Sequence, residues 1–168
     1  MIITSLEGTI LTKAHGREAD YVIVPDLENW RSITGDDACK MCDRREGVGT
    51  QGVIRILPTQ MSQAGSAFYE AHPEAEWYLE YFTADGELAP APEDAVRVAA
   101  HYLAVQGIVM LPRGGFMELA HLGGVAGIRW DGPGYSVDMG EGMSESGEAI
   151  LVFEIALIGL PGYAYMGQ

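Results

Sequence analysis

No stretch limits what this chain can fold into more than Pro92 to Gln106. Ala95, Val96, Val98, Ala99, Ala100, Tyr102, Leu103, Ala104 and Val105 leave it with hardly any polar side, and a helix that is apolar all round has to be buried. Its ends carry helix signals: Pro92 at or near the first helical position, acidic Glu93 and Asp94 in the first turn, and Gly107 as the stop. Short apolar runs flank it on both sides. The pattern predicts an α+β protein, a curved, mostly antiparallel sheet or barrel wrapped around a central apolar helix, with the alanines letting the sheet come close.

Strands are predicted over Met1 to Leu6, Thr9 to Lys13, Tyr21 to Val24, Val53 to Leu57, Trp77 to Phe82, Ile108 to Leu111, Phe116 to Leu119, Ala126 to Trp130, Tyr135 to Met139 and Ile150 to Ile158. Turn signals separate most of them, among them Asp85-Gly86, Arg113-Gly114-Gly115, Gly123-Gly124, Asp131-Gly132-Pro133-Gly134 and Gly159 to Gly162. A further helix is predicted from Gly35 to Arg45, where Asp36 and Asp37 in the first turn and Arg44 and Arg45 in the last suit the helix dipole. The 168 residues carry no repeat and no low-complexity segment, so a single domain over residues 1–168 is expected.

The formal net charge of −14 excludes whole classes of partner. Binding nucleic acid needs clustered Lys and Arg to displace counterions, and anionic membrane surfaces are disfavoured for the same reason. The N-terminal run has no basic region followed by an apolar one, so a cytoplasmic location is expected. The longest apolar run, Ala149 to Leu160, is interrupted by Glu154 and falls far short of a bilayer span; it reads as a buried strand.

Cys39-Lys40-Met41-Cys42 has the spacing of a redox dithiol or of half a zinc site. A redox pair gains reactivity at a helix N-terminus, whereas Cys42 falls late in its helix, and a structural zinc needs four ligands. The pair reads as two buried thiols packing as small hydrophobes. His15, His72, His101 and His121 show no ligand spacing, so no metal is expected. His101 reads as a hydrogen-bonded structural histidine, with a buried general base as the alternative. No nucleophile elbow, phosphate-binding loop or dinucleotide fingerprint is present, and no cofactor is expected. From Phe68 to Phe82 the chain concentrates aromatic side chains, including Tyr69, Trp77 and Tyr81, together with several carboxylates. They either wall an apolar pocket or, at Trp77, Leu79 and Tyr81, face the core as alternate residues of a strand.

Several stretches in order resemble diaminopimelate epimerase: Lys13 to Gly16 with Asp20 to Asp26, Met41 to Gly49, Ala75 to Tyr78 with Thr83 to Gly86, Arg97, and Tyr135 to Gly140. The resemblance covers nearly the whole chain but only the first half of a family member. It implies the fold of one half of that family, which isomerises an amino-acid stereocentre with two cysteines and no cofactor. Where the family has Met-Cys-Gly-Asn-Gly, this chain reads Ala91 to Ala95, and Pro92 at the cysteine position can neither take nor give a proton. Family asparagines that hold substrate fall at Ala19 and Thr83, and the Ala-Asp-Gly of the family has become Thr50-Gln51-Gly52. Family amides at the start of the helix grip a carboxylate; here Pro92 lacks one N–H, and Glu93 and Asp94 bring negative charge.

Carried over by position, the pocket is expected at the N-terminal end of the helix, near Thr50, Gln51, Tyr81, Thr83, Asp85, Glu93 and Asp94 and partly walled by Tyr69 and Trp77. No catalytic residue is assigned. With the polar anchors replaced, the expected ligand is a neutral, apolar small molecule. The leading reading is a cofactor-free enzyme that folds and cyclises such a molecule, a polyketide-like natural-product intermediate, by a pericyclic cycloaddition or related ring closure. The alternative is a non-catalytic binding protein or pseudoenzyme on the same frame. A homodimer is expected, because half of a two-domain fold leaves surface that a second copy can cover.

Overall fold

The computed structural model describes residues 3–157 and 164–166. Ten strands form one sheet: β1 (Ile10–His15), β2 (Asp20–Pro25), β3 (Gly52–Pro58), β4 (Trp77–Thr83), β5 (Leu88–Ala89), β6 (Phe116–His121), β7 (Gly124–Trp130), β8 (Tyr135–Asp138), β9 (Ile150–Leu157) and β10 (Ala164–Met166). The order is β10-β9-β1-β2-β3-β4-β6-β7-β8, with β5 paired to β4. Pairing is antiparallel except for β2 with β3 and β4 with β6. The sheet is open, with β8 and β10 at its edges. No barrel closes among the described residues, which corrects that half of the fold expectation.

Among the described residues three α-helices accompany the sheet: α1 (Gly35–Cys42), the short α2 (Ser66–Tyr69) and α3 (Glu93–Val105). The two-residue period of the strands decides which helix each side chain meets. Tyr21 and Ile23 of β2 and Ile54 and Ile56 of β3 share one apolar cluster with Ala95, Val96, Val98, Ala99 and Leu103 of α3. Val22, Val24 and Val53, from the same strands, share another with Ala38, Met41 and Cys42 of α1. Both strands are therefore buried on two faces and read as continuous apolar runs. Leu79 and Tyr81 join the α3 cluster, with Trp77 packed against it, so these residues do face the core.

α1 starts with a capping box, in which the Thr34 hydroxyl accepts from the Asp37 N–H and the Asp37 carboxylate accepts from the Thr34 N–H. That satisfies two of the N–H groups a helix start leaves open. α3 packs against β3, β7, β8 and β9. Its Ala95, Ala99 and Ala100 are fully buried, yet it is not apolar all round, since Asp94 and Arg97 are buried too. Among the described residues no helix is long and apolar enough to cross a membrane.

Two predicted strands are not strands. Thr4–Leu6 is a 3-10 turn, and Met1 and Ile2 lie outside the described residues. Ile108 to Leu111 pairs with no strand, because the N–H groups of Ile108 and Val109 fold back onto the Leu103 carbonyl at the end of α3. The predicted turn at Gly159 to Gly162, and Ile158, also lie outside the described residues.

Candidate functional site: the two ends of one helix

At the N-terminal end of α3 the structure builds a charged cluster. The Asp94 carboxylate leaves its own helix and enters the loop between β1 and β2. There Oδ1 accepts the Arg17 N–H at 2.7 Å, and Oδ2 accepts the N–H groups of Glu18 at 3.2 Å and Ala19 at 3.1 Å. The Tyr21 hydroxyl donates to Oδ2 at 3.3 Å and Arg97 Nη1 donates to Oδ1 at 3.1 Å. Five donors thus meet one carboxylate.

Gly16 makes the approach possible, since a Cβ there would run into the Asp94 carboxyl group. Burial, and then the neighbouring Asp94 charge, push the Tyr21 hydroxyl far above its ordinary range, so it stays protonated and donates. Arg97, 1% exposed, is fully employed: beside Asp94 it donates to Glu93 at 2.9 Å, to the Tyr135 carbonyl at 3.1 Å and to Ser144 at 3.4 Å.

Beside this cluster lies a cavity of about 370 Å³ lined by Arg17, Glu18, Ala19, Tyr21, Gln51, Tyr81, Pro92, Glu93, Asp94 and Arg97. It contains four of the nine residues expected from sequence: Gln51, Tyr81, Glu93 and Asp94. Gly52 keeps the approach to Tyr81 open, because any Cβ at that position would strike the Tyr81 ring. Thr50 is buried beneath it, its hydroxyl donating to the Gly52 carbonyl. Thr83 is turned to the Glu87 N–H of the following turn, and Asp85 is exposed at that turn's tip. Tyr69 sits at the end of α2 and lines neither this cavity nor the next. The cavity walls are charged rather than apolar, unlike the neutral pocket the substitutions suggested.

The apolar walls lie at the other end of the helix. Just past Val105, a cavity of about 640 Å³ is lined by Trp77, Ile108, Val109, Met110, Phe116 and Met117, with Glu74, Glu76 and Glu118 around them. Trp77 is the expected site residue that lines it. Its indole Nε1 is buried without a hydrogen-bond partner among the described residues. The loop that follows Gly107 supplies half of the apolar wall, and reading it as a strand hid this.

Other candidates resolve into structure. Arg55 faces a cavity of about 360 Å³ but is taken up by Asp26, Asn29, Glu80 and the Arg31 carbonyl. Cys42 is buried beside Thr50 and burial raises its thiol's pKa, the opposite of an activated thiolate; Cys39 is half-buried. His101 Nδ1 lies 2.8 Å from the Tyr135 hydroxyl and lines neither helix-end cavity, which makes it a structural histidine. Among the described residues, no group of three or more His, Cys, Asp or Glu is placed to hold a metal.

An open, mostly antiparallel sheet with one long buried helix defines an α+β frame of the kind shared by PhzF and diaminopimelate-epimerase-like proteins. The chain is similar in structure to a PhzF-family phenazine biosynthesis protein of Enterococcus faecalis, with a TM-score of 0.51 over 77% of this chain and 43% of that one. At 9% identity the likeness is one of fold. In sequence it is 38% identical over 103 residues to the diaminopimelate epimerase of Mycolicibacterium smegmatis, and 33% identical over 102 residues to that of Mycobacterium ulcerans. Each match covers 59% of this chain and 35% of the relative. The resemblance read from the motifs is thereby shown, over less of the chain than the motifs implied, and the match spans about a third of the relatives' length. No protein-family model matches the chain.

Proposed function

We propose that this chain is a cofactor-free enzyme on a diaminopimelate-epimerase-like frame that holds an apolar small molecule in the cavity at the C-terminal end of α3 and promotes its ring closure. The single observation that carries the reading is the contrast between that cavity and the family's site. Trp77, Val109, Phe116 and Met117 offer apolar surface in a half-open cavity of about 640 Å³ rimmed by Glu74, Glu76 and Glu118, in the size range of small-molecule pockets. At the opposite end, Pro92 stands at the cysteine position and Asp94 fills the nearby amides. Amino-acid isomerisation therefore lacks its acid-base group. A flexible chain folded against apolar walls needs none, because fixing the reactive conformation removes entropy from the barrier. A polyketide-like polyene undergoing cycloaddition suits such a cavity. The sheet is read as curving about α3, with its alanines permitting close approach.

A second reading is a non-catalytic binding protein on the same frame. It is favoured by the fully paired state of Asp94 and Arg97, which commits the charged groups near the family's site to structure. One experiment separates the two. Nile red, a neutral polycyclic dye, is titrated into the protein and into V109W, which fills the cavity from a half-buried loop position. A linear ester carrying a diene and an alkene is then followed for an isomeric cyclic product. Dye binding lost in V109W, with faster cyclisation lost in parallel, supports the enzyme. Dye binding without acceleration selects the binding protein, and dye binding indifferent to V109W removes both. We also propose that two copies pair with two-fold symmetry; light scattering that gives 18.1 kDa at micromolar concentration contradicts this.

A further inference from the structure

The three consecutive N–H groups of Arg17, Glu18 and Ala19 converge on one point, at 2.7, 3.2 and 3.1 Å from the Asp94 oxygens. Successive backbone amides in a concave loop make an anion-binding nest, and this one is reinforced by the Tyr21 hydroxyl and by Arg97. Tyr21 and Arg97 are 2% and 1% exposed, so the donors are fixed and desolvated before any ligand arrives. The residue that meets them comes from 75 to 77 positions further along the chain. It is a two-oxygen anion, held through both oxygens, with a 370 Å³ cavity beside it.

We propose that the Arg17–Ala19 loop is a carboxylate-binding site that the chain keeps occupied with its own Asp94, and that a free small carboxylate binds there once the Asp94 side chain is removed. Asp94 acts as a built-in ligand. It excludes free anions by occupying the amides and by its charge, and the neighbouring cavity has room for the body of a carboxylic acid whose head takes the place of the Asp94 oxygens. The Gly16 position supports this, because a Cβ there would strike the Asp94 carboxyl group and its absence leaves room for a carboxylate to enter. This site shares no lining residue with the cavity at the other end of the helix.

The probe is sodium formate, compared with sodium chloride at equal ionic strength. In D94A, formate raises the thermal midpoint saturably and moves the backbone amide resonances of Arg17, Glu18 and Ala19, while wild type shows neither change. D94N, whose amide still fills the nest, gives a response smaller than that of D94A. A D94A protein that answers formate and chloride alike, or whose formate shifts lie elsewhere, overturns the proposal. If D94A is unfolded in chloride but folds in formate, the proposal is upheld. If it is unfolded in both salts, D94S is measured in the same way, and the absence of a selective formate response in D94S overturns it.

Discussion

The two ends of α3 are built on opposite principles. At the N-terminal end, charged side chains are buried and nearly every donor and acceptor is matched: Asp94 has five donors and Arg97 donates to four separate groups. At the C-terminal end apolar side chains share the walls with three glutamates, the space is larger, and the Trp77 N–H is buried without a partner among the described residues. Buried charge is tolerated only when it is paired and hydrogen-bonded. The first end is therefore held together by the protein's own paired charges, and the second leaves a larger space beside it.

The comparison breaks most visibly at Arg97. R97M removes the cation between Glu93 and Asp94 while keeping much of the side-chain volume, and removing one partner of a buried pair costs about 3–5 kcal/mol. A urea melt is expected to show a loss of that size. A loss below about 1 kcal/mol would mean that the cluster is far better hydrated than its burial implies.

A smaller loss is expected on acidification. Burial holds His101 and His121 below their ordinary value of 6.5. His121 Nδ1 accepts the N–H groups of Ala91 and Gly123, which a protonated ring cannot do, and so anchors the chain just before Pro92. A depressed folded pKa means that the unfolded chain takes up the proton first. The stabilisation is present above about pH 6.5 and drains away as the pH falls from there through the folded values. H121Q, with an amide oxygen as acceptor, should flatten part of that decline; an unchanged pH profile would assign it to other groups.

Y21F removes one of the five Asp94 donors at 3.3 Å and is expected to cost about 1 kcal/mol, with the other four left in place. At the opposite end W77F deletes a donor that has no partner among the described residues, and the thermal midpoint should move least of all the variants. W77F should nevertheless weaken Nile red binding, since it alters a wall of the apolar cavity. Equal destabilisation by Y21F and W77F would erase the distinction between the ends.

What was legible in the sequence follows the range of the forces involved. α3 was visible because Pro92, the acidic first turn and Gly107 are local signals around an apolar run, and β2, β3 and β4 because their runs are short, apolar and bounded by turns. β5 and β10, at two and three residues, are too short to leave a pattern. The parallel pairings of β2 with β3 and β4 with β6 join segments far apart in sequence, and no local pattern announces them. From sequence alone, Asp94 is negative charge that repels an anion. Its backbone partners lie on a loop 75 or more positions away, and backbone N–H groups have no sequence signature. Gly16 was the visible trace, as a residue whose missing side chain leaves room for the carboxylate. Conversely, Ile108 to Leu111 had the composition of a strand, but the helix end captured its N–H groups and left its side chains to line a cavity.

The central claim is that ligands enter at the apolar end of α3 and that the end matching the epimerase site is closed to amino acids. It is tested most directly by amide chemical-shift mapping of the wild-type protein with two probes, Nile red and diaminopimelate. The account predicts that Nile red moves the resonances of Trp77, Ile108, Val109, Phe116 and Met117, and that diaminopimelate moves none and exchanges no α-proton for deuterium. Diaminopimelate shifts at Arg17 to Ala19 and Gln51, with deuterium appearing at its α-carbon above the buffer background, would contradict it.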